Sequence, residues 1–261
     1  LMPAVNLQWE RSDTSLFYAS YSEGFKSGGF NAVDDQNPEI AADGTVLRTT
    51  PAIGFEYEDE TASSFEIGGK HTLMDGAMTL NWAMFNSEYV DQQVSTFVGL
   101  GFVVANAASS DIQGVEVDMQ WQATDNLRLG ANVAMLDAKY GKFDSAGCTA
   151  AQDSALIALG TLTVNSPVTS ALGCQAQFNG AGAKAGQSQD LSGSSFGADY
   201  SGSLTADYTK PLANGMMMFA SADYNFTDGF KMTGDHDPID FQKAYGKVNL
   251  RAGLRSESWD F

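Results

Sequence analysis

The predicted strands of this chain are joined by connections of two lengths. The short connections are 10–14, 74–77, 123–126, 210–215 and 256–258, and the long ones between them are 26–62, 141–197 and 227–240. In an up-and-down antiparallel sheet, successive connections lie at opposite ends, so every short turn falls at one end and every long loop at the other. A soluble β-sandwich has no reason to sort its loops in this way, whereas a membrane β-barrel has short turns on one side and long loops on the other.

The segments between these connections alternate apolar and polar residues at period two, which predicts β-strands. They are 4–9, 15–25, 63–73, 78–97, 102–122, 127–140, 200–208, 216–226 and 244–255. The clearest alternation is at 115–122, where Val115, Val117, Met119 and Trp121 are separated by acidic residues and glutamines. A hairpin turn at 99–101 fits the pattern as well, because its strands of about twenty residues exceed the roughly 9–11 needed to cross a bilayer and therefore project beyond it.

The composition limits the class of protein. Only 18% of the residues are charged, 27 are glycine, and the formal net charge is -18. This balance excludes a nucleic-acid-binding protein, which needs lysine and arginine to displace phosphate counterions. No stretch reaches the roughly 18–20 apolar residues of a membrane-spanning helix, so a closed barrel is the only way in which this sequence crosses a membrane.

Alternation alone does not say whether the apolar face meets lipid or a protein core. Aromatic side chains near the strand ends favour an apolar face that meets lipid, since membrane barrels carry an aromatic girdle at each headgroup level. The candidates are Trp9, Tyr89, Trp121, Tyr140, Tyr208, Tyr224 and Trp259. The polar rows carry both signs of charge, which is typical of a wet lumen. A soluble secreted β-sandwich binding module remains the alternative on these grounds.

Several segments resemble strands of the barrel of TonB-dependent outer-membrane receptors. They are YASYSEGFKSGGFNA at 18–32, SSFEIGGKHTL at 63–73, VVANAASSDIQGVEVDMQW at 103–121 and YGKVNLRAGLRS at 245–256. The resemblance implies an all-β fold: an antiparallel up-and-down transmembrane β-barrel with short periplasmic turns and long extracellular loops. The chain would supply about nine to ten of about 22 strands.

By the same resemblance, residues 1–261 form a partial TonB-dependent receptor barrel domain. The plug domain, the TonB-contacting segment and the closing strands are absent from it, so the chain is interpreted as an internal piece of a longer protein. The implied function is active uptake of a scarce solute, most often an iron–siderophore chelate, across the outer membrane of a Gram-negative cell. A passive porin or structural barrel shares every strand feature and is the main alternative.

Candidate ligand contacts lie in the long loops and the lumen, where cationic and aromatic side chains suit an anionic or aromatic chelate. They are Phe25, Lys26, Phe30, Arg48 and Lys142, with Lys139 as a weaker candidate. The alternative for Phe25 and Phe30 is that they only pack their loop. No Ser, Cys or His constellation indicates catalysis, so the protein is not interpreted as an enzyme and no cofactor is assigned.

Cys148 and Cys174 lie in one polar loop, at a separation compatible with a disulfide, although two free thiols remain the alternative. The run Asp235-His236-Asp237 contains metal-ligand types, but adjacent residues of an extended chain point in opposite directions, and no metal site is assigned. The expected partners are TonB, through a region outside this chain, a siderophore or saccharide, and the lipid and lipopolysaccharide of the outer membrane.

Overall fold

In the computed structural model, the described residues are 2–31, 56–98, 101–144, 146–158, 170–171, 173–178, 184–213 and 215–256. Within them, 16 strands and one α-helix are numbered in chain order. Nine strands form one sheet: β1 (Ala4–Ser12), β2 (Ser15–Lys26), β5 (Glu60–Leu73), β6 (Met78–Val98), β7 (Gly101–Thr124), β8 (Leu127–Tyr140), β12 (Tyr200–Pro211), β13 (Met217–Thr227) and β16 (Tyr245–Arg255). We call this sheet the wall.

The remaining elements lie in the long connections. They are β3 (Gly29–Phe30), β4 (Glu56–Tyr57), α1 (Ala150–Ala158), β9 (Ser170–Ala171), β10 (Cys174–Phe178), β11 (Lys184–Gln189), β14 (Phe230–Lys231) and β15 (Phe241–Gln242). The helix and the small sheet of β9, β10 and β11 show that the predicted long connection 141–197 contains regular structure.

The wall confirms the predicted up-and-down fold. Each strand pairs antiparallel with the next wall strand along the chain, in the order β1-β2-β5-β6-β7-β8-β12-β13-β16. The connections β1–β2, β5–β6, β7–β8 and β12–β13 are short and lie at one end of the strands, which we call the turn end, whereas the short β6–β7 connection lies at the other end. The long ones at 27–59, 141–199 and 228–244 all lie at the opposite edge, the loop end. There β6 and β7 extend past a bulge near Asp91 and remain paired to Val98 and Gly101.

The predicted short connection at 74–77 has an unusual backbone conformation. Met74–Gly76 forms a short 3₁₀ segment in which Met74, Asp75 and Gly76 all have positive φ, at 53°, 54° and 92°. Asp and Gly tolerate this left-handed region, whereas Met adopts it at a cost. The strand register on both sides stays in phase, since Leu73 pairs with Met78.

Cross-strand partners put the apolar residues of all nine strands on the same side. One row reads Leu80, Met119, Ala131, Leu204, Tyr224 and Val248, and the next reads Met78, Trp121, Leu129, Ala206, Ala222 and Leu250. This apolar face is open: Met135 is 61% exposed, Leu204 44% and Leu250 79%. A sandwich would cover such a row with a second large sheet, whereas the further sheets of the described residues have only two or three strands and lie in the long connections.

The opposite side of the wall, the polar face, is linked by hydrogen bonds across its strands. Tyr18 donates from Oη to Glu66 Oε1 at 2.6 Å, and Asn81 donates from Nδ2 to Asp118 Oδ1 at 3.3 Å. Nearer the turn end, Arg128 Nη2 lies 3.4 Å from Asp207 Oδ2. Because polar partners follow one another across β2, β5, β6, β7, β8 and β12, this side has the character of a water-lined surface.

Aromatic side chains lie across glycines of neighbouring strands on both faces. Tyr18 covers Gly68, its direct cross-strand partner, so closely that a Cβ on Gly68 would overlap the phenol ring. Trp82 covers Gly69 in the same way on the apolar face. Pairing a ring with a glycine fills the space left by the missing side chain and fixes strand register.

The predicted aromatic girdle is correct only in part. Trp121, Tyr208 and Tyr224 lie on the apolar face, as a girdle requires. Tyr89 and Tyr140 instead share the polar face, because both are cross-strand partners of the buried Ser110. Trp259 lies outside the described residues.

Candidate functional site at the loop end

Side-chain amides tie the first long loop to the extension of β6 and β7. Asn31 donates from Nδ2 to the Val104 carbonyl at 2.8 Å and accepts from the Val104 N–H at 2.7 Å, so its side chain takes the place of a strand backbone. Gln93 Nε2 donates to the carbonyls of Lys26, Ser27 and Glu58. These bonds hold the two chain segments together at the mouth of the polar face.

The disulfide-bearing loop, 141–199, has a small core of its own. Cys148 and Cys174 are joined by a disulfide with their Cα atoms 5.8 Å apart, and fully buried Leu156 of α1 packs with Cys174. The helix starts with a capping box: Thr149 Oγ1 accepts from the Gln152 N–H, and Gln152 Oε1 accepts from the Thr149 N–H. The bridge and the cap order the helical part of this loop, while Phe143 and Leu191 pack on Ala108 of β7.

Gln189, at the end of β11, joins this loop to the last one, 228–244. Its Nε2 donates to the carbonyl of Gly147 at 2.7 Å and to that of Asp235 at 2.6 Å, while its Oε1 accepts from Gln152 Nε2 at 2.9 Å. The side chain is only 8% exposed. All of its donors and its acceptor atom are used, so a change at Gln189 leaves buried polar groups without partners.

His236 lies in the last loop, against the same junction. The residue is 8% exposed, its φ is 57°, and its ring packs at 5.8 Å from the ring of Tyr140. Lys231 Nζ lies 2.9 Å from Nδ1, and an ammonium can only donate, so Nδ1 accepts. Burial lowers the pKa of His236, the Lys231 charge lowers it further, and Asp235 opposes both.

The two aspartates that flank His236 have structural partners. Asp237 Oδ1 accepts from the Ile239 N–H at 2.9 Å, and Asp235 Oδ1 accepts from the Asp237 N–H at 3.3 Å. In the described part of the chain, no group of three or more His, Cys, Asp or Glu side chains is arranged to hold a metal ion. Nor does that part contain a helix long and apolar enough to span a membrane.

The structure separates the predicted ligand contacts. Lys26 pairs with Glu60 on the polar face at the loop end and is exposed, and Phe30 lies in the same loop with 65% of its surface exposed. Phe25, by contrast, lies on the apolar side of the wall with Tyr21, where it lines an open cavity of about 520 Å³ together with Glu23 and Glu88. Phe25 therefore does not point into the lumen with Lys26.

The remaining candidates have other surroundings. Lys142 is exposed at the loop end, with Nζ 3.6 Å from Asp144 Oδ2. Lys139 is bonded to Asp137 at 2.9 Å on the apolar side, beyond Met135. Arg48 lies outside the described residues. Sequence reasoning missed Gln189 altogether, whereas the capping box Thr149-Ala150-Ala151-Gln152 was a readable signal for α1.

Comparisons with known proteins agree with this geometry. A family model described as TonB dependent receptor-like, beta-barrel, matches residues 1–261. The siderophore receptor PiuA from Acinetobacter baumannii is 14% identical with a TM-score of 0.60, covering 97% of this chain and 29% of that one. The ferric yersiniabactin uptake receptor FyuA from Yersinia pestis is 15% identical with a TM-score of 0.57, covering 96% and 29%.

The chain belongs to the family of TonB-dependent receptors and forms part of their β-barrel. This family consists of transport receptors, not enzymes, and its members are proteins of the Gram-negative outer membrane. The apolar face therefore contacts hydrocarbon, and the polar face lines the lumen. The chain covers 29% of the length of each of these two solved structures.

Proposed function

We propose that this barrel segment belongs to a receptor that takes up a scarce iron–siderophore chelate across the outer membrane with energy delivered by TonB. The observation that carries the proposal is the wall itself: nine strands with one lipid-facing and one polar side, and all long loops at one end. Solved structures with a similar fold include the siderophore receptors named above. Residues 1–261 then supply part of the transport barrel, and we expect a plug domain elsewhere in the polypeptide.

Lys26 and Phe30 are the ligand contacts that this proposal favours. Lys26 ends β2 on the polar side of the wall, and Phe30 lies in the first long loop that follows it. A cation and an exposed ring at a lumen mouth suit an anionic or aromatic chelate. Lys142 joins them as an exposed cation of the second loop, since its ion pair with Asp144 is fully accessible to water and therefore weak. Saccharides are the second solute class to test.

Uptake assays test the proposal. A strain lacking the full-length receptor is supplied with iron-labelled siderophores and with labelled oligosaccharides, with and without a functional TonB. We expect accumulation of one iron chelate to require both the receptor and TonB. Uptake that needs the receptor but persists without TonB would identify a passive porin. Unchanged uptake of every solute in the deletion strain would refute transport.

A pair of lysine variants tests whether Lys26 contacts the ligand at the loop end of the lumen. Lys26→Ala should weaken binding of the transported chelate several-fold in the full-length receptor, because it removes a charge from the lumen side. Lys210→Ala removes an equally exposed charge at the turn end and should leave binding unchanged. Equal effects of the two changes would contradict a ligand contact at Lys26.

A further inference from the structure

The disulfide-bearing loop and the last loop meet at one well-packed junction. Gln189 Nε2 donates to the Asp235 carbonyl, and the His236 ring packs on Tyr140, whose own ring contacts Phe143 at 4.8 Å and Phe196 at 4.5 Å. Phe143 is 4% exposed and belongs to a core with Ala146 and Leu191. We call Gln189, His236 and Tyr140 the latch, because Gln189 joins the two loops and the His236 ring of the last loop packs on Tyr140 at the end of β8.

The latch requires a neutral imidazole. Nδ1 of His236 accepts from the Lys231 ammonium at 2.9 Å, so a proton on Nδ1 would remove this acceptor and bring two cations into contact. The buried position gives the new charge little water. The carboxylate of Asp235 is the nearby compensating charge, Asp237 is occupied with the Ile239 N–H, and Tyr140 presents an uncharged ring.

We propose that the disulfide-bearing loop and the last loop form one latched unit at neutral pH, and that protonation of His236 in mildly acidic surroundings releases it. The bonds of Gln189 to Gly147 and Gln152 lie within the disulfide-bearing loop, and its bond to Asp235 crosses to the last loop. Because Asp235 and His236 are adjacent, displacement of His236 also moves Asp235 and breaks the bond from Gln189 to the Asp235 carbonyl. The last loop then leaves while the disulfide-bearing loop stays folded.

Proton binding by His236 and opening of the latch are linked, so the pH determines how much of the latch is closed. Burial and Lys231 hold the pKa of His236 in the closed latch below its ordinary 6.5, so the open form binds the proton more readily. Closure is therefore strongest above about pH 6.5 and is lost as the pH falls toward the lowered value. Between these two values the opening equilibrium shifts by at most about tenfold per pH unit, because one proton is taken up.

Distance measurements on the full-length receptor in lipid vesicles test the latch. Spin labels carried on non-natural side chains at Ala151 and Ile239, both exposed, avoid interference with the cysteines. The wild-type receptor should show a single short distance at about pH 7.5 and a growing longer population toward about pH 5.5. Gln189→Ala should show the longer population at both pH values.

Variants at His236 and Lys231 test whether protonation of His236 opens the latch. His236→Asn suits the positive φ and does not titrate, so the distance should no longer respond to pH. Lys231→Met should reduce the response, because the opposing charge is gone while burial remains. His71→Gln changes the other histidine, which lies on β5 near the turn end, and should respond like the wild type.

Either of two results would overturn the proposal: a wild-type distance that does not change with pH, or a His236→Asn receptor that still responds. A Gln189→Ala receptor with the wild-type distance at neutral pH would show that Gln189 does not join the loops. If the His236→Asn receptor is open at all pH values, the Lys231→Met receptor still tests the mechanism. Its label distance should change with pH as much as in the wild type only if His236 is not the titrating group.

Discussion

The indole N–H of Trp82 donates to Nε2 of His71 across 3.2 Å on the lipid-facing side of the wall, and His71 Nδ1 lies 3.1 Å from Ser15 Oγ. The interaction links β6, β5 and β2. We expect Trp82→Phe to lower the free energy of unfolding by about 1 kcal/mol, because Nε2 loses its partner. Denaturant unfolding in micelles measures the loss. In a His71→Phe background the same change should cost clearly less, and equal costs would rule out the bond.

The contact between Tyr18 and Gly68 predicts a steric effect. Gly68→Ala should displace the phenol ring and break its bond to Glu66, with a loss of about 1–3 kcal/mol in stability. Gly24→Ala is the matched control, since nothing lies within 4 Å of a Cβ there. Removing the ring with Tyr18→Ala should make Gly68→Ala harmless. Similar losses for the two glycine variants would argue against the contact.

The two faces of the wall predict opposite responses to charge. Leu204 lies on the apolar face and Ser203, its neighbour in β12, on the polar face. Leu204→Arg should cost up to about 2–4 kcal/mol of folding free energy in a bilayer, and Ser203→Arg should cost little. Folding titrations into lipid vesicles compare the two. A greater cost at Ser203 would mean that the faces are assigned the wrong way round.

The disulfide predicts a local effect. Replacing both Cys148 and Cys174 by serine should destabilise the loop by about 3 kcal/mol, since the bridge closes a separation of 26 residues. Hydrogen exchange should rise in α1 and β10 and stay unchanged in the wall. Mass spectrometry after alkylation without reductant should find neither cysteine modified. Alkylation of both would show that the thiols are free.

The wall could be predicted from the sequence because each strand contacts two different environments. An alternation such as Val115 to Trp121 is imposed by lipid on one side and water on the other, and a slip of one residue would exchange the two faces. The same alternation places Phe25 outside the lumen. Phe25 is an even number of residues from Phe17 and Tyr21 in β2, and both of these lie on the apolar side.

The loop end was less predictable for a physical reason. Gln189 bonds to main-chain carbonyls 42 and 46 residues away, and every residue carries a carbonyl, so no side-chain pattern marks such a partner. The pairing of Tyr18 with Gly68 depends on register, which becomes known only when the strands are aligned. The α1 capping box was visible in the sequence because it is local.

The buried hydrophobic side chains of the described chain, such as Phe143 and Leu156, all lie at or near the loop end. The wall holds together by backbone ladders and surface contacts instead. Loop substitutions away from the cluster that packs on Ala108 and Tyr140 therefore leave the pairing of the wall strands unchanged. The membrane-spanning strands of such a molecule therefore tolerate variation in most of the surface beyond the bilayer.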